Sequence, residues 1–224
     1  EHKDRALPVT VRGCSFCDVA VDKGFHGTLD AETVMAQING LPENRDGRKI
    51  AFELINEYPL PGLERLLKQA HGRGFELSQI DLTLRADGLV SNADRLRSAI
   101  DIARHRGVRI VLGSVGFESF DDRILRNLNK GIDVAMNLTA VRLMRALKKD
   151  YPSTFGYLRS EGANHGFIHP TPWDTPQTDH HMRALITRYG LDQDILPRHS
   201  TPLIIHHASA LGDWMRSIEK NGSL

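Results

Sequence analysis

Cysteine is almost absent from this chain: Cys14 and Cys17 are the only two in 224 residues. Such scarcity fits a reducing, cytoplasmic setting and argues against a secreted domain stapled by disulfides. Long apolar runs are missing as well. No stretch of about 18 apolar residues occurs, so no membrane-spanning helix is expected. Neither sign of charge dominates: 29 basic and 28 acidic residues leave a formal charge of +1. That balance gives no sign of bulk binding to nucleic acid or to a membrane surface. The opening Glu1-His2-Lys3-Asp4-Arg5 is charged and no apolar stretch follows it, so it does not read as a secretory leader. Linkers, low-complexity segments and sequence repeats are absent too. The whole of 1–224 therefore reads as one domain, and a chain opening just before its first strand also reads as a fragment of something longer.

What is present begins with the cysteines themselves. They sit in Arg12-Gly13-Cys14-Ser15-Phe16-Cys17-Asp18, directly after the apolar run Leu7-Pro8-Val9-Thr10-Val11. The run reads as a short buried strand ended by Gly13. Two thiolates so placed can hold a soft metal or an iron–sulfur cluster, or act as a dithiol redox pair. Two ligands alone complete neither a zinc site nor a cubane cluster.

Along the rest of the chain, strand-like runs alternate with segments of helical period. Lys49–Ile55, Ile80–Leu84, Val108–Leu112, Phe167–Ile168 and Pro202–Ile205 read as strands. Helices are expected over Leu63–His71, Ser91–Arg106 (capped by Ser91 or Asn92), Asp121–Leu128, Asp133–Lys148, Thr175–Tyr189 and Ala208–Ile218. This rhythm, about six units long, implies parallel strands with right-handed crossovers, an α/β fold. Chemistry in such folds belongs at the carboxyl ends of the strands. Polar or reactive residues stand after each candidate strand in turn: the cysteine loop, Asn56-Glu57-Tyr58-Pro59, Arg85-Ala86-Asp87, Gly113 to Phe120, and His169-Pro170-Thr171-Pro172-Trp173.

Four of these blocks, taken in order, resemble the radical S-adenosylmethionine (SAM) enzymes, most closely the branch that often carries an upstream cobalamin-binding domain. Arg12-Gly13-Cys14-Ser15-Phe16-Cys17 is similar to the last two cysteines of the family's three-cysteine loop. Asn56-Glu57-Tyr58-Pro59 stands where the family has Gly-Gly-Glu-Pro. Leu84-Arg85-Ala86-Asp87 is the third block. Gly116-Phe117-Glu118-Ser119-Phe120-Asp121-Asp122, running on to Leu128-Asn129-Lys130-Gly131, is the longest and most specific. Thr171-Pro172-Trp173-Asp174-Thr175 adds weaker support, Trp173 reading as a packing residue.

The resemblance implies a partial (β/α)6 TIM-like barrel of parallel strands, a 4Fe–4S cluster with SAM on its open iron, and radical chemistry started by reductive cleavage of SAM. It implies an electron donor such as a flavodoxin or ferredoxin, and cobalamin only through a separate upstream domain. Residue by residue, Cys14 and Cys17 would ligate iron and Phe16 would lie near the adenine. Glu57 would accept from the methionine ammonium, Arg85 and Lys130 would pair with its carboxylate, and Glu118 would accept from the ribose hydroxyls. The substrate is not legible.

This sequence departs from the family pattern at one decisive place. The family spacing is Cys-x-x-x-Cys-x-x-Cys, and four positions before Cys14 stands Thr10. An alcohol is a poor iron ligand beside a thiolate. His2 and His26 are candidate substitutes that nothing places near the site. Ile55-Asn56 also stands for two glycines, with a loss of backbone freedom. Two other readings therefore stay open: a relative that binds SAM or a partner without radical chemistry, and a metal-dependent barrel hydrolase built on His165, His169, His180, His181, His206 or His207. Taken alone, Glu118 with Lys130 reads as a salt bridge flanking a helix, and Arg85 as a surface charge.

Overall fold

The computed structural model describes residues 13–17, 30–56, 58–195 and 200–220. Among them the chain runs α1 (Ala31–Asn39), β1 (Phe52–Leu54), α2 (Leu60–Gly72), β2 (Gln79–Arg85), α3 (Ala86–Ser91), α4 (Ala93–His105), β3 (Arg109–Glu118), α5 (Asp122–Asn127), α6 (Val134–Asp150), β4 (Phe155–Gly156), β5 (Gly166–Phe167), α7 (Pro176–Tyr189) and α8 (Ala210–Lys220). Every pairing between these described strands is parallel. The order is β1-β2-β3-β4, and β5 also pairs with β3. β3 is long enough to serve two partners: Ile110 and Val111 face β4, whereas Gly116 and Glu118 face β5. The sheet curls into a half-barrel, the α/β architecture expected.

Burial follows period. Ile80, Leu82 and Leu84 alternate along β2 and are buried on one face. Leu63, Leu66, Leu67 and Ala70 of α2, with Leu96, Ala99, Ile100 and Ala103 of α4, present their apolar stripes to the same core. A second apolar cluster joins Ile124, Leu128, Trp173 and Leu211, so Trp173 is indeed a packing residue.

β3 runs six residues beyond the expected Leu112, from which Gly113 and Gly116 had marked a loop. Gly113 is instead a bulge: Leu82 pairs with Leu112 and Thr83 with Ser114, leaving Gly113 without a partner in β2. The strand expected over Pro202–Ile205 shrinks to one bridge, Ile168 with Thr201. Pro202 has no amide hydrogen for a ladder, and Leu203 and Ile205 pack on the second cluster. α3 lies where a loop was expected, shortened by Gly88 and Ser91. Asn92 does not cap α4 with its side chain. Its amide donates to the Tyr58 hydroxyl (2.8 Å) and the Gly88 carbonyl (2.9 Å).

His165 locks β3 to the segment before β5. Its Nδ1 accepts from the Val115 amide (3.1 Å), and Nε2 reaches the Tyr157 carbonyl (2.8 Å). That pairing needs the neutral ring with the proton on Nε2. Burial pulls its pKa below the ordinary 6.5, although the Tyr157 carbonyl pulls the other way. A base with a lowered folded-state pKa gives full stability above its unfolded value, and that stability is lost as pH falls toward the folded value. Urea midpoints are therefore expected to fall as pH drops below about 6.5. In a His165→Gln variant this part of the pH dependence should vanish. An unchanged profile in the variant would remove His165 from the account.

Candidate functional site

At the carboxyl end of the half-barrel, the last residues of β2 and β3 meet the cysteine loop and the turn after α5. Arg85 closes β2. Its Nη1 donates to Cys14 Sγ (3.2 Å) and its Nη2 to the Lys130 carbonyl (2.5 Å). Its Nε and Nη2 also donate to the Asp87 carboxylate (3.1 and 3.3 Å). Burial works against the charge, but Asp87 and Cys14 outweigh it and hold the guanidinium above its ordinary value.

Glu118 ends β3 with φ of +61°, a conformation uncommon for a residue other than glycine. The turn is held from both sides. Asn137 of α6 donates to the Phe117 and Ser119 carbonyls (2.9 and 2.8 Å), and the Ile168 amide donates to the Glu118 carbonyl (2.8 Å). The carboxylate is aimed inward, where Oε1 accepts from Lys130 Nζ at 2.9 Å. The two side chains are only 12% and 3% exposed. This is a buried pair and not an exposed bridge flanking a helix. Two glycines make room for it. A Cβ on Gly116 would lie 2.6 Å from Glu118 Oε1 and 2.9 Å from Lys130 Nζ, and one on Gly166 would lie 3.2 Å from Glu118 Oε2.

The cysteine loop is clamped by backbone. Ser15, fully buried, donates its amide to the Leu128 carbonyl (2.9 Å) and its hydroxyl to the Asn127 carbonyl (3.2 Å), while the Leu211 amide donates to the Ser15 carbonyl (2.9 Å). Asn129 Nδ2 donates to the Gly13 carbonyl (2.7 Å). Cys14 and Cys17 share one tight turn, with the Cys17 amide on the Cys14 carbonyl (3.2 Å), and both are partly exposed. The end of α5 and the start of α8 thus fix where the sulfurs stand.

Of the residues singled out by sequence, Cys14, Arg85, Glu118 and Lys130 form one linked chain of contacts drawn from four separate segments. Cys17 lies in the same loop. Phe16 packs against the cluster of Ile124, Leu128, Trp173 and Leu211. Glu57, Thr10, His2 and His26 fall outside the described residues. Asn56 uses its side chain to accept from the Tyr58 amide (2.9 Å). Among the described residues the histidines do not gather into one site: His165 is held in the core by backbone, His181 pairs with Asp121 (3.3 Å), and His169 stands between Asp174 and Asp179. Sequence reading missed Asp87 as the brace of Arg85, Ser15 and Asn129 as the clamp, and Gly166 as part of the cradle.

No family model and no curated protein matches this chain. Solved structures do. The chain is similar to the cobalamin-dependent S-adenosylmethionine radical enzyme OxsB, in its apo, selenomethionine-labelled form, at 16% identity with a TM-score of 0.51. It is similar to OxsB with aqua-cobalamin and S-adenosylmethionine bound at 15% identity with a TM-score of 0.52. Each match covers 94% of this chain and 34% of the OxsB chain, so the chain spans about a third of that enzyme. At this identity the likeness is one of fold: the half-barrel is of the kind seen in a radical SAM enzyme. Among the described residues no helix is long and apolar enough to cross a membrane.

Proposed function

We propose that this chain is a radical SAM core, an enzyme of that class by descent, whose surviving ligand site is the one for SAM. The observation that carries the reading is the convergence of Arg85, Glu118 and Lys130, from three segments, around a glycine cradle beside Cys14. SAM is a zwitterion with a ribose, and it needs both signs of charge and an acceptor for hydroxyls. The set fits that ligand. Glu118 takes the ribose hydroxyls, and Arg85 and Lys130 take the methionine carboxylate through charge-assisted bonds. Asp87 braces Arg85 for this task. Phe16 toward the adenine and Glu57 toward the ammonium enter the proposal on the resemblance alone.

The iron–sulfur cluster fits less well. A cubane with one open iron needs three protein thiolates, and the chain has two, one of which already accepts from Arg85. The same observation favours a second reading, in which the core binds SAM without radical chemistry. An electron donor of the flavodoxin or ferredoxin kind and cobalamin on a separate domain rest on the resemblance, and cytoplasmic residence rests on the scarcity of cysteine.

Calorimetric titration of SAM tests the shared part of both readings. The natural chain is expected to bind SAM, weakly because the open iron that normally anchors SAM would need a third thiolate. Glu118→Ala and Lys130→Ala should each weaken binding about ten- to a hundredfold, the worth of a charged contact of about 1.5–3 kcal/mol. Equal binding by the natural chain and the folded double variant would leave the family's shape without its ligand.

A further inference from the structure

We propose that His169, Asp174 and Asp179 form a site for one divalent first-row transition-metal ion, built apart from the cysteine loop. His169 follows β5, Asp174 lies in the loop after it, and Asp179 sits in the first turn of α7. His169 Nε2 stands 3.2 Å from Asp179 Oδ1 and 3.9 Å from Asp174 Oδ2. One donor atom from each of the three lies within 4.8 Å of the other two. An ion bound to nitrogen and oxygen at about 2.0–2.2 Å holds its donors roughly 3–3.5 Å apart, a spacing that His169 and Asp179 already have.

Its parts are held in place by neighbours. The His169 amide donates to the Thr201 carbonyl (2.9 Å), its carbonyl accepts from Ser200 Oγ (2.9 Å), and its ring stacks on Phe167 with centroids 6.4 Å apart. The Asp174 side chain is 11% exposed, and its Oδ2 accepts from the Thr171 amide. Such outer contacts are what orient metal ligands.

Charge argues in the same direction. One imidazole accounts for one carboxylate partner, yet two carboxylates share this one. Among the described residues no lysine or arginine pairs with Asp174 or Asp179. A bound cation supplies the missing charge. One nitrogen and two oxygens suit zinc, manganese, iron or cobalt better than calcium or magnesium, which favour all-oxygen shells. Three protein ligands with His169 and Asp179 about one-third exposed leave coordination positions for water or for an oxygen ligand such as a carboxylate. The Ile168 amide bonds to the Glu118 carbonyl, so the ion would stand at the same end of the sheet as Glu118. That the oxygen ligand is the substrate rests on the SAM reading, whereas the metal site itself does not.

The test is titration of zinc into a Cys14→Ser/Cys17→Ser chain, followed by calorimetry and thermal melts, with cobalt as the spectroscopic probe. One equivalent should bind and raise the melting temperature. The cobalt complex should show ligand-field bands and no thiolate charge-transfer band. His169→Ala, Asp174→Asn and Asp179→Asn should each weaken binding at least about tenfold. His181→Ala, which removes a histidine paired elsewhere, should leave it unchanged. Failure of zinc to bind, or binding retained by the Asp174→Asn/Asp179→Asn chain, overturns the site. Because SAM takes no part in the readout, either proposal can fail without the other.

Discussion

Thr10→Cys, reconstituted anaerobically with iron and sulfide, is expected to turn a weak, substoichiometric cluster into one close to full occupancy. The expectation follows from ligand counting. Cys14 and Cys17 supply two thiolates, and restoring the family spacing supplies a third four positions before Cys14. A hydroxyl does not compete with a thiolate for iron, so the gain should come from the sulfur and not from its bulk. Thr10→Ser is the matched control and should change nothing. The preformed part of the loop supports the design, because Ser15 and Asn129 already pin Gly13 to Cys17 onto the turn after α5. Iron and sulfide content with visible absorbance report the outcome. If Thr10→Cys changes neither, the correspondence of these blocks with the family is wrong at its first element. Assay of SAM cleavage under reducing conditions then separates the two readings of function. Cleavage by the natural chain supports the catalytic one, and cleavage confined to Thr10→Cys supports a core that binds SAM without using it.

The sequence made the alternation of strands and helices legible because apolar spacing switches period cleanly at β2, α2, α4 and α6. Where local chemistry was ambiguous, tertiary context decided. Gly113 and Gly116 looked like loop residues, yet one is a bulge and the other is bare so that two charged side chains can meet above it. β4 and β5 have two residues each, too short to carry any period. α1 had a usable signal that went unread: Asp30 accepts from the Thr33 amide (3.1 Å) just before Val34, Met35 and Ile38. At the site, Arg85, Glu118 and Lys130 were legible as types at strand ends. Their mutual contacts were not, because Arg85 reaches Cys14 across 71 positions of sequence. The grouping of His169 with Asp174 and Asp179 follows no short metal-ligand spacing, because it joins a residue just past β5, the loop after it and the first turn of α7.

Lys130→Met should cost about 3–5 kcal/mol of stability, a large share of the roughly 5–15 kcal/mol that holds a domain together. The argument is one of solvation. Lys130 Nζ lies 2.9 Å from Glu118 Oε1 with both side chains nearly out of water, so removing the ammonium strands a carboxylate. Its escape is blocked by the Asn137 and Ile168 contacts that fix the turn at Glu118. Glu118→Gln/Lys130→Met removes both charges while keeping shape, and should recover much of the loss, because two buried charges that attract each other also each resist burial. Urea denaturation of the natural chain, both single variants and the pair closes the cycle. A loss below about 1 kcal/mol for Lys130→Met would mean that the pair behaves as an exposed one, screened by water. That result would also weaken the SAM proposal. A ligand gains most from a site whose charges water does not reach, and it binds here by taking over partners that Glu118 and Lys130 now give each other.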